Sequence, residues 1–354
     1  MDDILFNVVG GVARVTLNRP RALNALTLDM ALALDGALAR WAEDDAVRIV
    51  VVRGAGDRAF CAGGDVRALY ESGTTRANTL TRDFYWHEYR LNRRIKRFPK
   101  PYVAFMDGVT MGGGVGISVH GSHRVATGRT VFAMPETGIG LFPDVGGSYF
   151  LPRCPGRIGL YLGLTGARLA AADCRHAGIA THHLDTARID EALAAFAGGA
   201  SAGDARSHVD RVLAGLAEAP GASELAGRRD AIDRCFGAGG VEDIEAALRA
   251  EGGAWAEATL KAMAEKSPFL QKVARAAIGR GVNLSFEDCM MMEFRLVQRA
   301  MAFHEFYEGV RAAVIDKDRQ PKWRPACLSE VEGTAVESWF APFENGAAGD
   351  LVFA

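Results

Sequence analysis

Apolar positions in the first 150 residues fall into short runs punctuated by glycine. Residues 4–9 and 12–17 are β-branched runs separated by Gly10-Gly11, which predicts a hairpin. Asn18-Arg19-Pro20 stops the second strand. Thr27 reads as an N-cap. Leu28, Ala31, Leu32, Leu34, Leu38 and Trp41 then give an apolar face to a helix that runs to about Glu43. Residues 48–53 are apolar between charged ends, as a strand covered on both faces would be. A glycine-rich loop, 54–65, leads into a short helix at 66–70. A longer helix is predicted over 78–97, ended by Pro99 and Pro101. Residues 102–106 read as another buried strand, followed by a turn and by Gly112-Gly113-Gly114 opening a helix. Two more short strands are predicted at 123–126 and 130–133.

From about Ile158 the pattern becomes helical. Segments 185–197, 205–217 and 241–263 are rich in Ala, Leu, Glu and Arg, and Gly198-Gly199-Ala200-Ser201 reads as a loop between them. A long helix in 285–307 carries a stripe of Phe286, Met290, Phe294, Val297 and Met301, which reads as core. The tail after Lys317, with Pro321, Pro325 and Pro342, is expected to wrap the surface. Strand, glycine loop and helix in repetition predict an α/β protein whose chemistry sits in the connections. The division expected is a core over 1–200 and a helical C-terminal region over 201–354, with a soft boundary near 200.

Composition narrows the picture. The chain has 354 residues, a formal net charge of -2 and an ordinary charged fraction of 24%, so bulk electrostatics predict no affinity for nucleic acid or membrane. No apolar stretch is long enough to span a bilayer. Met1-Asp2-Asp3-Ile4 begins with acids, unlike a signal peptide or an Arg-rich presequence. The six cysteines contain no CxxC pair, which favours free thiols in a reducing, cytoplasmic setting. His120 with His123, and His182-His183, lack a third ligand, so no metal is expected. Ser118 and Ser148 lack a GxSxG elbow, which argues against an α/β-hydrolase triad.

Three segments carry candidate chemistry. In Phe60-Cys61-Ala62-Gly63-Gly64-Asp65, glycines allow a backbone N–H to point into a cleft, although a plain loop feeding a helix would look the same. In residues 107–116 (DGVTMGGGVG), a strand ends in glycines at a helix start, where free N–H groups suit a developing oxyanion. Close helix packing is the alternative there, and the spacing is not GxGxxG. Residues 134–153 (MPETGIGLFPDVGGSYFLPR) set Glu136 and Asp144 among Met134, Ile139, Leu141, Phe142 and Val145. Carboxylates in such surroundings are costly unless paired or used, and a raised pKa would suit a base or a proton donor. Gly138, Gly140 and Pro143 favour a folded-back loop that brings both acids to one place. A turn cap plus a surface acid is the competing reading.

In this order the three segments resemble the crotonase (enoyl-CoA hydratase/isomerase) superfamily. Arg21-Ala22-Leu23-Asn24-Ala25-Leu26 looks like its CoA-binding segment, with Arg21 in place of a common lysine. MPETGIGLFPDVGGSYFLPR, Phe306-Tyr307-Glu308-Gly309-Val310-Arg311-Ala312 and Lys317-Asp318 resemble the 3-hydroxyisobutyryl-CoA hydrolase branch. The resemblance implies a spiral of repeated ββα units with a C-terminal helical region that covers the site, and homo-oligomers based on trimers. It implies an oxyanion hole at the N–H groups of Gly64 and Gly113. Substrate and CoA contacts would come from Arg21, Ala22, Leu23, Ala25, Ala62, Gly63, Asp65, Glu88 and Gly112. No cofactor is implied beyond the CoA of the substrate. Hydratases of the superfamily use two glutamates; one maps to Glu136 and the other to Gly116, which has no side chain. The resemblance therefore implies thioester hydrolysis, with 3-hydroxyisobutyryl-CoA from valine catabolism as substrate. It casts Glu136 as nucleophile or general base. Asp144 would bind the 3-hydroxyl or assist proton transfer to the thiolate. Without the family, Glu88 reads as a solvated helix residue. An isomerase working with one carboxylate and a silent acyl-CoA binder are the alternatives.

Overall fold

The computed structural model describes residues 2–76, 79–199, 204–343 and 349–353. It forms two compact units, and neither is one continuous stretch of chain. The first comprises Met1–Gly64, Arg90–Ala133 and Arg168–Ala226; the second comprises Asp65–Tyr89, Met134–Ala167 and Gly227–Ala354. The boundary expected at 200/201 falls on residues outside the described set.

The first unit holds two sheets. Strands β1 (Ile4–Val9) and β2 (Val12–Leu17) form the expected antiparallel hairpin. The others are β3 (Ile49–Gly54), β4 (Ala59–Cys61), β5 (Tyr102–Met106), β6 (Val109–Met111), β7 (His123–Ala126), β8 (Val131–Ala133) and β9 (His182–His183). The larger sheet has the order β1-β2-β3-β5-β7-β9 and the smaller β4-β6-β8. Beyond the hairpin every pairing is parallel. The chain thus alternates between sheets, from β3 to β4, β5 to β6 and β7 to β8, which is the expected spiral of ββα units.

Burial explains the apolar runs. Val12, Ile49, Val51, Val103, Phe105 and Val125 share one face of the larger sheet. They pack against Leu193 and Phe196 of the helix Ile189–Gly199 and Val209 and Leu213 of the helix Ala205–Leu216. Each such side chain contributes about 1.5–3 kcal/mol when fully buried. The helix Leu28–Glu43 starts where the Thr27 hydroxyl accepts from the Met30 N–H at 3.2 Å. It buries Met30, Leu34, Leu38 and Trp41, whereas Leu32, placed on that face by the pattern, is exposed.

The second unit is helical, and several boundaries differ from the pattern's. The helix after Asp65 runs Val66–Thr75, past Tyr70. The next is Leu80–Lys96, of which the part up to Tyr89 belongs to this unit; the expected start at Asn78 lies outside the described residues. Segment 241–263 is two helices, Val241–Glu251 and Gly253–Ala264, because Gly252 adopts φ 65°, ψ -178° between them. Segment 285–307 likewise divides into Phe286–Ala300 and His304–Val310. The tail does more than wrap the surface: Val331, Val336, Trp339 and Phe340 are buried, and the Trp339 ring packs on Phe269 and Phe303. Among the described residues, no helix is long and apolar enough to cross a membrane. Among the described residues, no disulfide joins any of the six cysteines.

Candidate active site

In the first unit, the two glycine-bearing segments around Gly63 and Gly112 and the run Arg21-Ala22-Leu23-Asn24-Ala25-Leu26 meet through their backbones. The Ala62 N–H donates to the Leu23 carbonyl at 3.0 Å and the Leu26 N–H to the Gly63 carbonyl at 2.8 Å. Arg21, Ala22, Leu23 and Ala25 therefore run beside Ala62, Gly63 and Gly64. Asn24, buried between them, fixes this run: its Nδ2 donates to the carbonyls of Ala55 and Ala59 at 3.0 and 2.8 Å. Arg21 and Ala22 are exposed. The next segment arrives with β6, whose Met111 carbonyl lies 3.6 Å from where a Cβ on Gly63 would be, with the Gly112 Cα at 4.0 Å. Gly114 has no room for a side chain, since a Cβ there would strike the Cys61 carbonyl. That closeness sets Gly113 at the first turn of the short helix Gly113–Gly116. Among the described residues, the N–H groups of Gly64 and Gly113 have no acceptor.

The carboxylates gather within the second unit. Glu136 opens a 3-10 turn, Glu136–Ile139, whose end at Gly140 is left-handed with φ 70°. A Cβ on Gly140 would strike the Glu305 carbonyl, so only glycine fits this reversal. The Leu141 N–H donates to the Glu136 carbonyl at 3.0 Å, and the loop folds back as expected. Glu136 and Asp144 are 4% and 3% exposed. The helix Leu80–Lys96 contributes Tyr85, Glu88 and Tyr89 from one face, at i, i+3 and i+4. Glu88 is 1% exposed, not solvated as the residues alone suggested. The Tyr89 hydroxyl donates to Asp144 Oδ2 at 2.7 Å. Among the described residues, Oε1 of Glu88 and Oε2 of Glu136 lack hydrogen-bond partners.

Burial dominates the electrostatics. It pushes Glu136 and Glu88 well above the usual carboxylate range, with the neighbouring Asp144 charge adding to both; Lys266 opposes the rise at Glu136. Burial also raises Asp144, to about 7, against the lowering by the Tyr89 hydrogen bond. Crowded buried carboxylates cannot all ionise, so protons are retained among them. Asp144 has the donor that favours its anion, and Glu136 and Glu88 keep protons more firmly. Burial raises Tyr85 and Tyr89 as well, which keeps both phenols as donors.

Glu293, on the helix Phe286–Ala300, was not singled out by the sequence. It is fully buried and accepts from the Gly146 N–H at 2.7 Å, the Ser148 N–H at 2.8 Å and the Ser148 hydroxyl at 2.5 Å. Burial raises it to about 8 in spite of these donors. Its signal was present as an acid spaced i+3 from Met290 and i+7 from Phe286 on the apolar stripe. Asp65 serves locally as the N-cap of Val66–Thr75, accepting from the Ala68 N–H at 3.2 Å. Among the described residues, no group of three or more His, Cys, Asp or Glu side chains is disposed to hold a metal.

Known proteins match nearly the whole chain. The family model described as enoyl-CoA hydratase/isomerase matches residues 12–340. The mitochondrial 3-hydroxyisobutyryl-CoA hydrolase of Danio rerio is 45% identical, covering 97% of this chain and 90% of that protein. The solved structure of a carnitinyl-CoA dehydratase from Mycobacterium thermoresistibile matches with a TM-score of 0.92 and 44% identity, covering 100% of this chain and 99% of its own. An enoyl-CoA hydratase from Rhodobacter sphaeroides 2.4.1 matches with a TM-score of 0.91 and 40% identity, covering 99% of this chain and 100% of its own. The resemblance drawn from the motifs is borne out: the chain belongs to the enoyl-CoA hydratase/isomerase family.

Proposed function

We propose that the protein hydrolyses a short-chain acyl-CoA thioester, with 3-hydroxyisobutyryl-CoA as substrate and 3-hydroxyisobutyrate and free CoA as products. The observation that carries this reading is the buried Glu136 and Asp144 pair, with Asp144 held by the Tyr89 hydroxyl. The 3-hydroxyisobutyryl-CoA hydrolases, 45% identical in Danio rerio and 42% in Homo sapiens, support the substrate.

The proton economy of the pair suits hydrolysis. The reacting state has Glu136 ionised and Asp144 protonated. Glu136 takes a proton from water as the oxygen attacks the thioester carbon, or it attacks directly to form an anhydride that water then cleaves. The C–S bond breaks and Asp144 gives its proton to the departing thiolate. In the water route the cycle leaves Glu136 protonated and Asp144 ionised, which is the order that burial favours at rest. Proton return from Glu136 to Asp144 resets the pair. In the first unit, the N–H groups of Gly64 and Gly113 are the proposed oxyanion donors, and the exposed Arg21 is the proposed contact to CoA phosphate. Glu88 is proposed to line the acyl pocket. No group beyond the CoA of the substrate is required.

The dehydratase and hydratase among the structural matches favour a second reading, water addition or elimination at a double bond. Gly116 argues against the two-glutamate route, because it has no side chain. Release of free thiol from 3-hydroxyisobutyryl-CoA, followed with a colorimetric reagent beside crotonyl-CoA hydration, decides between them. Rapid thiol release with negligible hydration is expected; hydration at a comparable rate overturns the hydrolase reading.

A further inference from the structure

The turn that carries Asp144 has an uncomfortable backbone. The Gly147 N–H donates to the Asp144 carbonyl at 2.7 Å, closing a turn whose inner residues are Val145 at φ 50° and Gly146 at φ 86°. Two successive left-handed residues suit glycine or asparagine, and a β-branched valine resists this conformation. Something must hold it. The N–H groups on either side of Gly147, those of Gly146 and Ser148, both end on the Glu293 carboxylate, which also takes the Ser148 hydroxyl. The helix that bears Glu293 also fixes the other partner of Asp144: the ring of the adjacent Phe294 stands edge-on to Tyr89, with centroids 6.3 Å apart. One helix therefore registers both ends of the Tyr89–Asp144 hydrogen bond.

We propose that Glu293 is a positioning residue for Asp144, fixing through Gly146 and Ser148 the left-handed turn that presents Asp144 to the Tyr89 hydroxyl. The consequence for catalysis rests on the reading of Asp144 as a reacting group; the geometric coupling does not. A side chain that merely completed the core would act independently of the Tyr89 hydroxyl. A clamp would not, because once Asp144 has drifted there is no hydrogen bond left for Tyr89→Phe to remove.

The test is a double-mutant cycle of Glu293→Gln and Tyr89→Phe, read in kcat, KM and urea unfolding. Each single change should lower kcat about tenfold or more with KM within about threefold, and the double variant should fall no further than the worse single one. In unfolding, the same pair should be coupled by at least about tenfold in the equilibrium constant. Independent effects in both readouts overturn the proposal. If the wild type releases no CoA, the hydrolase reading fails, and the unfolding cycle alone still decides the role of Glu293. If Glu293→Gln does not fold, Ser148→Ala, which removes one donor to the same carboxylate, takes its place in the cycle under the same criterion.

Discussion

The Tyr89 hydroxyl reaches Oδ2 of Asp144 at 2.7 Å, and it is the largest influence that opposes burial in setting where Asp144 ionises. Replacing Tyr89 with Phe removes a donor to a charged group, worth about 1.5–3 kcal/mol. Asp144 should then ionise about one to two pH units above its present value near 7. The acid limb of the kcat/KM profile for thioester cleavage should move to higher pH by that amount; an unmoved limb would detach Asp144 from the observed titration.

Glu136→Gln keeps the shape of the side chain and removes its basicity. Turnover should fall at least about 10²-fold while binding of a CoA ester stays nearly unchanged. Single-turnover thiol release together with calorimetric titration of a non-hydrolysable thioether checks both halves. Wild-type turnover would remove Glu136 from the mechanism.

Asp144→Ala tests whether the acid reads the substrate hydroxyl. If it accepts a hydrogen bond from the 3-hydroxyl, cleavage of 3-hydroxyisobutyryl-CoA should fall much more than cleavage of isobutyryl-CoA, since a substrate lacking that group has no such contact for the change to remove. Equal losses would assign Asp144 to the shared chemistry alone.

In the first unit, Gly113→Val should crowd the N–H proposed as an oxyanion donor. Loss of such a donor typically slows turnover by about 10²–10³-fold. Far-UV circular dichroism should match the wild type. A folded and fully active variant would place the oxyanion donors elsewhere.

Buried carboxyls also shape stability. Glu293 and Asp144 ionise near 8 and 7 in the folded protein but near ordinary values once unfolded. Between those limits the native state holds protons that the unfolded chain has lost, so stability falls as pH rises. Each such group contributes a slope of about 1.4 kcal/mol per pH unit. The urea midpoint should therefore increase on going from pH 8.5 to 6.5, and Glu293→Gln should flatten the rise.

How far the sequence disclosed this follows from what each signal depends on. Local chemistry was legible. The hairpin at Gly10-Gly11, the Thr27 cap and the buried run of β3 follow from neighbouring residues, and the structure keeps all three. Strands β4, β6 and β9 were missed because two or three residues show no period of their own. They extend only because a parallel neighbour pairs with them. The folded-back loop from Glu136 to Asp144 was readable from its glycines and proline. Glu293 showed only as an acid on the apolar stripe of its helix, because its hydrogen-bond partners, Gly146 and Ser148, lie more than 140 residues earlier in the chain. Glu88 was misread as solvated for the same reason: a charged residue on a helix looks exposed until its surroundings are known.

The order in which the larger sheet is assembled bears on how the chain is made. Val12 of the second strand shares its cluster with Leu213 and Leu216, some 200 positions later, and β9, at residues 182–183, completes the sheet's far edge. During synthesis on a ribosome, the first strands must wait until about residue 216 has emerged before that apolar face can be covered. The waiting strands expose a run of valine and isoleucine of the kind that pairs with strangers. Non-local closure of this sort makes for slow folding. Nascent chains stopped before Leu216 would be the ones to engage chaperones, and a C-terminal deletion reaching into the helix Ala205–Leu216 would damage the sheet that begins at residue 4.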